Sequence, residues 1–305
     1  MAPERPFLSV YGHVTIDQII SIKRFPVLNE SVDVQTKNTT LGGTGTNIAM
    51  TAARLGVPTA ICAFVGEDFP PKYESDMIDS GLIMDELVRV KEYESSQAIV
   101  INDAEMKQEV IFYQGPQGCA SKLNNMLMRN AMRSSYVHFC TGEPEYYLSI
   151  MEAMSGTAPM ISFDPAQEIY KLWFKDKILK ALTHSDWLFC NEYEARTIEN
   201  ILGIKDVMDI DKELIVRTEG EKGSTAKVKG EILHIPVIEG KDFIDATGAG
   251  DAFRGGFYCG LYNGYDIRES LILASATSSF VVEKVGALTN TPKWEEVLER
   301  ADRYL

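Results

Sequence analysis

Tyr136-Val137-His138-Phe139-Cys140, Met160-Ile161-Ser162-Phe163-Asp164, Trp187-Leu188-Phe189-Cys190 and Leu214-Ile215-Val216-Arg217-Thr218 are the stretches that decide the fold. Each is a short apolar run, separated from the next by a segment of helical periodicity. Strands buried on both faces read as near-continuous apolar runs, and strands alternating with helices predict an α/β fold: a mostly parallel sheet covered by helices. Working outward, Phe7 to Tyr11 is a further buried strand that stops at Gly12, and Thr59 to Val65 another. Between them, Thr44 to Leu55 turns helical, with Gly56 as its C-cap. Thr225 to Ile235 predicts an antiparallel pair around Gly230. Gly250 to Gly264 and Ile267 to Val285 predict long helices, with a last helix from Pro292.

Two regions differ in character. Residues 19–37 alternate weakly around Pro26 and Asn29, as short, partly exposed strands do. Gln97 to Ile101 and Glu109 to Tyr113 bracket the turn Asn102-Asp103-Ala104 and predict a β-hairpin. Together they are expected to pair into a small β-sheet lid beside the main body. With no internal repeat, low-complexity stretch or linker, residues 1–305 read as one domain with a lid from segments 19–37 and 97–113.

Lys+Arg 30 against Asp+Glu 44 gives a net charge of -14, a field that repels nucleic acid and anionic membrane. The 5 cysteines, Cys62, Cys119, Cys140, Cys190 and Cys259, are odd in number, widely spaced and free of CxxC pairs, which fits reduced thiols. His13, His138, His184 and His234 never fall at HxxxH or HExxH spacing, so a structural metal is discounted. Two prolines and an acid interrupt the N-terminal stretch where a signal peptide needs an apolar core, and no run approaches the roughly 18 apolar residues of a membrane span. A soluble, cytoplasmic protein is expected.

The strongest local motif is Asp245-Ala246-Thr247-Gly248-Ala249-Gly250-Asp251, opening a helix. Glycines let the backbone approach a ligand, and the unpaired amides of a helix start bind anions such as a phosphoryl group. Asp251 in that first turn either compensates the helix dipole or, because a carboxylate would repel a bound phosphate, receives a proton from an attacking hydroxyl. Leu41-Gly42-Gly43-Thr44-Gly45-Thr46-Asn47 also opens a helix. It lacks the third glycine of a dinucleotide fingerprint, and the QTKNTT before it is too polar for a buried strand. Asn47 there suits sugar hydroxyls or caps a neighbouring loop.

Gly12 to Asp17 (GHVTID) puts an acid beyond a strand's carboxyl end, where ligands of parallel sheets lie. Asp17 is either the acceptor for a vicinal diol or an exposed loop acid. Asn191-Glu192-Tyr193-Glu194 has the form of a capping box, and the same pair could hold water around a magnesium ion. Thr218-Glu219-Gly220-Glu221-Lys222-Gly223 is a glycine turn after a strand, a plain loop or a nucleotide contact. Walker A and GxSxG motifs are both absent from the sequence.

In this order, GHVTID, GGTGTN, NEYE, TEGEKG and DATGAGD resemble the ribokinase-like (PfkB) family of carbohydrate and nucleoside kinases, over about residues 7 to 300. The resemblance implies a three-layer α/β/α domain with a β-lid and transfer of the ATP γ-phosphate to a sugar hydroxymethyl group. Asp251 then matches the catalytic base and Gly248, Ala249 and Gly250 the anion hole. Asp17, Gly43 and Asn47 match the sugar contacts, Asn191 and Glu194 the magnesium and phosphate motif with Glu194 acting through water, and Thr218 and Gly220 the nucleotide contacts. Ala246, Glu219 and Pro70 depart from the family pattern, and a potassium requirement is not carried over.

Asp164-Pro165-Ala166-Gln167 and the compact motif spacing resemble the archaeal-type nucleoside kinases, which implies a nucleoside 5′-hydroxyl as acceptor. The alternatives are a ribokinase or other sugar kinase, and a nucleotide-binding sensor without transfer, against which the intact Asp251 argues. Phe112, Tyr113 and Gln114 at the end of the lid can supply a stacking face and an amide for a base, or are alternating strand residues. The apolar alternation at Ile99, Ile101, Val110 and Phe112 predicts a homodimer paired through the lids.

Overall fold

Both faces of the apolar runs are buried, and alternate residues feed two different cores. Leu8 and Val10 of the first strand join Ile61, Ala63, Val65, Phe189 and Val216 on one side. Tyr11 joins Cys62, Phe64, Val137, Phe139, Leu188 and Ile215 on the other. In the computed structural model, residues 5–105 and 107–305 are described. The first four residues, part of the N-terminal stretch discussed above, and Met106, between the expected hairpin strands, lie outside the described residues.

In chain order the first half holds β1 (Leu8–Tyr11), β2 (Thr15–Ile22), β3 (Val34–Gly42), α1 (Thr44–Arg54), β4 (Thr59–Gly66) and α2 (Pro71–Asp79). Then come β5 (Ile83–Val90), β6 (Ser96–Asn102), β7 (Gln108–Tyr113), β8 (Tyr136–Phe139), α3 (Pro144–Ala153) and β9 (Met160–Phe163). The rest is α4 (Lys175–His184), β10 (Trp187–Asn191), α5 (Glu192–Leu202), β11 (Leu214–Thr218), β12 (Ser224–Val228) and β13 (Glu231–Ile235). Three helices close the chain: α6 (Ala249–Tyr262), α7 (Ile267–Val281) and α8 (Trp294–Ala301).

Among the described residues the main sheet runs β13-β12-β11-β10-β9-β8-β1-β4-β5. It is parallel from β11 to β5, with β12 and β13 antiparallel at one edge. From β1 the chain proceeds outward through β4 and β5 on one side and from β8 through β11 on the other. The chain switches direction between β1 and β8, and beyond the carboxyl ends of such strands open parallel sheets leave a crevice for ligands. Over it stands the second sheet, β3-β2-β6-β7, in which β2 lies parallel to β6 and antiparallel to β3.

The strands of the second sheet have other bounds than the expected segments. They take in residues 15–22 and 34–42 rather than 19–37, and 96–102 and 108–113 rather than 97–113. The polar VQTKNTTLG is indeed no buried strand; it is an exposed edge strand whose backbone is paired with β2. Helix α7 ends at Val281 instead of Val285, α6 begins at Ala249, and the last helix starts at Trp294 instead of Pro292, with Lys293 as its N-cap. Helix α2 and edge strand β5 had no counterpart among the sequence expectations. No helix among the described residues is long and apolar enough to cross a membrane.

Candidate active site

The crevice is walled by two helix starts. Gly43 caps α1 with φ 96°, and Gly248 caps α6 with φ 77°, a left-handed conformation that other residues adopt at a cost. A Cβ on Gly43 would stand 2.3 Å from the His13 carbonyl oxygen, and one on Gly248 2.2 Å from Cβ of Ala287. Both positions therefore need glycine for space as well as for φ. Helix α6 packs against α1 and α7 through further glycines: a Cβ on Gly255 would meet the Thr51 side chain at 2.8 Å, and one on Gly256 the Thr277 hydroxyl at 2.4 Å.

Neither helix start is closed by a side-chain cap. At α6 the Ala249 amide donates to the Ala246 carbonyl at 3.1 Å. The amides of Gly248, Gly250 and Asp251 have no acceptor among the described residues. Of the expected trio Gly248, Ala249 and Gly250, the Ala249 amide is therefore engaged within the turn, while those of Gly248 and Gly250 are open. Asp245 braces this turn, accepting from Thr247 N (2.9 Å), Thr247 Oγ1 (2.7 Å) and, through its other oxygen, the Gly286 amide (2.9 Å).

Close packing of α1 on α6 brings Asn47 to Asp251, and the Asn47 amide donates to Asp251 Oδ2 at 2.8 Å. Burial pushes the Asp251 carboxyl up to about 6, against the opposing hydrogen bond from Asn47 and the charge of Arg254. Such a group is an ionised acceptor at neutral pH that binds a proton more readily than an exposed carboxylate. Asp17, on β2 of the lid, accepts from the Thr15 hydroxyl and packs over Gly42; burial raises it as well. It is therefore not the exposed loop acid of the plainer expectation, and its charge is felt by Asp251.

Asn191 and Glu194 form the capping box. Asn191 Oδ1 accepts from the amides of Tyr193 (2.9 Å) and Glu194 (2.8 Å), and Glu194 Oε2 accepts from the Asn191 amide (2.7 Å). Glu194 is 4% exposed, and burial, then the charge of Asp164, pushes it up to about 7. Thr218 lies opposite Asn191 in the β10–β11 ladder, and Gly220 begins the next turn with φ 58°. Glu219 accepts from Arg217 Nε at 2.8 Å and from the Thr225 hydroxyl at 3.2 Å, which explains an acid at that position.

One group of functional neighbours was not found by the sequence reasoning. Arg254, 6% exposed, donates from Nε to Asp164 Oδ2 at 2.5 Å and from Nη1 to the Gly250 carbonyl at 3.1 Å. His138 Nε2 stands 3.3 Å from the same Asp164 oxygen, and its Nδ1 is 2.9 Å from the Tyr258 hydroxyl. Burial alone would raise Asp164, but Arg254 and His138 hold it below the usual carboxylate range. The signal was a lone arginine in the otherwise apolar stretch Ala252-Phe253-Arg254-Gly255-Gly256-Phe257; an arginine so placed needs a buried partner.

A buried carboxylate beside open helix amides, at the switch point of a parallel sheet and under a β-lid, is an arrangement for phosphoryl transfer to a hydroxyl. The sequence pattern of the pfkB family carbohydrate kinases matches residues 5–294. The chain belongs to that family. This PfkB-family protein is a phosphotransferase. It is 32% identical over 300 residues to a nucleoside kinase of Methanocaldococcus jannaschii, with 97% of each chain covered. To a nucleoside kinase of Methanothermobacter thermautotrophicus it is 30% identical, over 98% of this chain and 96% of the relative. The crystal structure of the Methanocaldococcus jannaschii nucleoside kinase, described as an archaeal member of the ribokinase family, superimposes with a TM-score of 0.90 at 30% identity, over 98% of this chain and 99% of that one. The ribokinase-like fold expected from the motifs is thereby borne out.

Proposed function

We propose that the protein is an ATP-dependent nucleoside kinase in which one kinase domain, closed by the β-lid, moves the γ-phosphoryl group to the ribose 5′-hydroxyl. The observation that carries the transfer chemistry is Asp251: a buried carboxylate, oriented by Asn47, in the same turn as the unpaired amides of Gly248, Gly250 and Asp251. Asp251 accepts the proton of the attacking hydroxyl, and the amides take up negative charge on the transferred group. Asp17 and Asn47 hold the sugar diol beside Gly43, and closure of the lid excludes water. Thr218 and Gly220 contact the nucleotide. The similarity to nucleoside kinases, together with the aromatic wall that Phe112 presents to His13, supports a nucleoside over a free sugar.

Magnesium fits Glu194. Its carboxylate is buried and feels the charges of Asp164 and Asp251, which Arg254 opposes; a cation would favour its ionised form, and one oxygen remains beyond the bond to the Asn191 amide. Among the described residues no group of three or more His, Cys, Asp or Glu could hold a metal. Magnesium takes one or two carboxylates and completes its shell with waters and substrate phosphates. When bound, it would neutralise charge on the phosphates.

The edge strand β7 exposes Val110 on one face and Ile111 on the other, apolar surface that supports pairing of two subunits through their lids. The free, mostly buried cysteines suit a reducing, cytoplasmic setting. A substrate panel tests the main reading: inosine, guanosine and cytidine should show higher kcat/KM than ribose or fructose, and 2′-deoxynucleosides should lose efficiency. A hexose or ribose that outperforms every nucleoside would transfer the assignment to a sugar kinase.

A further inference from the structure

At the end of the crevice toward the lid lies a cluster with more hydrogen-bonding capacity than partners. His13, directly after β1, is 1% exposed, and neither Nδ1 nor Nε2 of its ring has a hydrogen-bond partner. Its ring meets Phe112 of β7 edge-on, 5.1 Å between centroids. Its carbonyl faces Gly43 and accepts from the Thr46 amide at 3.4 Å, next to Asn47. Gln114, just past β7, lies close enough to act on the His13 ring, and donates from Nε2 to Glu168 Oε1 at 3.1 Å. Glu168, 4% exposed, sits beyond the end of β9. The remaining oxygens, Gln114 Oε1 and Glu168 Oε2, are buried and unpartnered. Buried polar atoms are nearly always paired, and a carboxylate oxygen is the costliest to leave alone. Burial pushes His13 down to about 4, so the ring is neutral and offers one donor and one acceptor.

The chemistry of this cluster is asymmetric: one oxygen each of Gln114 and Glu168 is left without a well-formed hydrogen bond, and the Gln114 side chain lies against one neutral imidazole. We propose that Glu168 and Gln114 form an acceptor wall for the nucleobase, with Glu168 selecting nucleosides whose base presents N–H donors on the edge away from the sugar. The inference rests on the nucleoside reading above and adds to it the feature of the base that is recognised. Guanine, hypoxanthine and uracil meet it, since each carries a ring N–H beside a carbonyl, complementary to a carboxylate beside an imidazole N–H. A base with acceptors alone would leave Glu168 Oε2 buried and unpaired, and sites built to hydrogen-bond a substrate reject analogues lacking the group.

The test compares inosine and guanosine with purine riboside, which keeps the bicyclic ring and the ribose but lacks both the oxo group and the ring N–H. With the wild-type protein and ATP, kcat/KM for inosine and guanosine should exceed that for purine riboside by a factor on the order of 10 to 10². Glu168→Met, similar in length and without oxygens, should bring the ratio of kcat/KM for inosine or guanosine over purine riboside to about 1. Glu168→Gln, which keeps one acceptor oxygen, should fall between. Equal use of purine riboside and inosine by the wild type, with all nucleosides still ahead of ribose, would overturn the acceptor wall and leave the kinase assignment standing. Equal loss for all three substrates in Glu168→Met would remove the selecting role from Glu168. Ribose ahead of every nucleoside would take down the nucleoside reading and this inference together. Should Glu168→Met not fold, calorimetric binding of inosine and purine riboside to the wild type decides the matter by itself.

Discussion

Helices α5 and α7 begin differently from α1 and α6. Asn191 with Glu194, and Asp266 with Glu269, close their helix starts with reciprocal side-chain bonds of 2.7 to 3.0 Å. Gly43 and Gly248 supply no side chain, and behind Gly248 the amides of Gly250 and Asp251 have no acceptor among the described residues. A capped start is satisfied from within and contributes stability, about 1 kcal/mol per cap. An uncapped start at the end of a parallel sheet keeps its donors for a ligand. The difference separates what the helices do, and it explains why NEYE was legible as a capping box while DATGAGD called for a ligand.

The largest effect expected from this contrast belongs to Asp251→Asn. Transfer should fall by a factor on the order of 10² to 10⁴ through loss of the base, with ATP and substrate binding retained. Stability should move the other way. A carboxyl raised to about 6 in the folded state stabilises the fold while protonated, and that contribution is lost as pH rises from the unfolded value through the folded one. The variant should therefore melt above wild type at pH 8 and lose that advantage toward pH 4, as read by calorimetry. Near-normal turnover, with wild-type contamination excluded, would end the assignment of Asp251.

Next comes Gly248→Ala, whose Cβ would collide with Ala287 and whose φ disfavours alanine. Displacing the open amides should lower kcat by roughly 10 to 10². A smaller change follows from pH: kcat/KM should fall about tenfold per unit below about 6 as Asp251 takes up its proton, and a flat profile down to pH 5 would contradict its role as base. Asp266→Ala in α7 should cost roughly 0.5 to 2 kcal/mol in unfolding free energy and leave transfer unchanged. If it impaired transfer while Gly248→Ala did not, the distinction between capped and open starts would collapse. The smallest effect on rate should come from Val110→Lys in the lid. Light scattering should show a dimer for the wild type and a monomer for the variant, and a wild-type monomer at micromolar concentration would refute lid pairing.

Much of the sheet was legible because a strand covered on both faces has to be apolar throughout, as Thr59–Gly66 is. The lid was read less well for the opposite reason. Strand β3 is exposed along most of its length, so no apolar alternation marks it, and only its pairing with β2 reveals a strand. Strand β5, at the sheet edge, mixes acids with aliphatic residues and escaped notice.

In the site the division is sharper. Local sequence by itself determined the glycine-opened helix starts, the acid in the first turn of α6 and the Asn191–Glu194 box, because each depends on residues within one turn of backbone. Tertiary structure alone decided that Asn47 meets Asp251 across 204 residues, that Arg254 meets Asp164 across 90, and that His13, Gln114 and Glu168 converge with unpaired atoms. These contacts arise from the close packing of α1 on α6 and from the lid folding over the end of β1. Helical and strand periodicity records which face of an element is buried, and it carries no information about which distant side chain that face will meet.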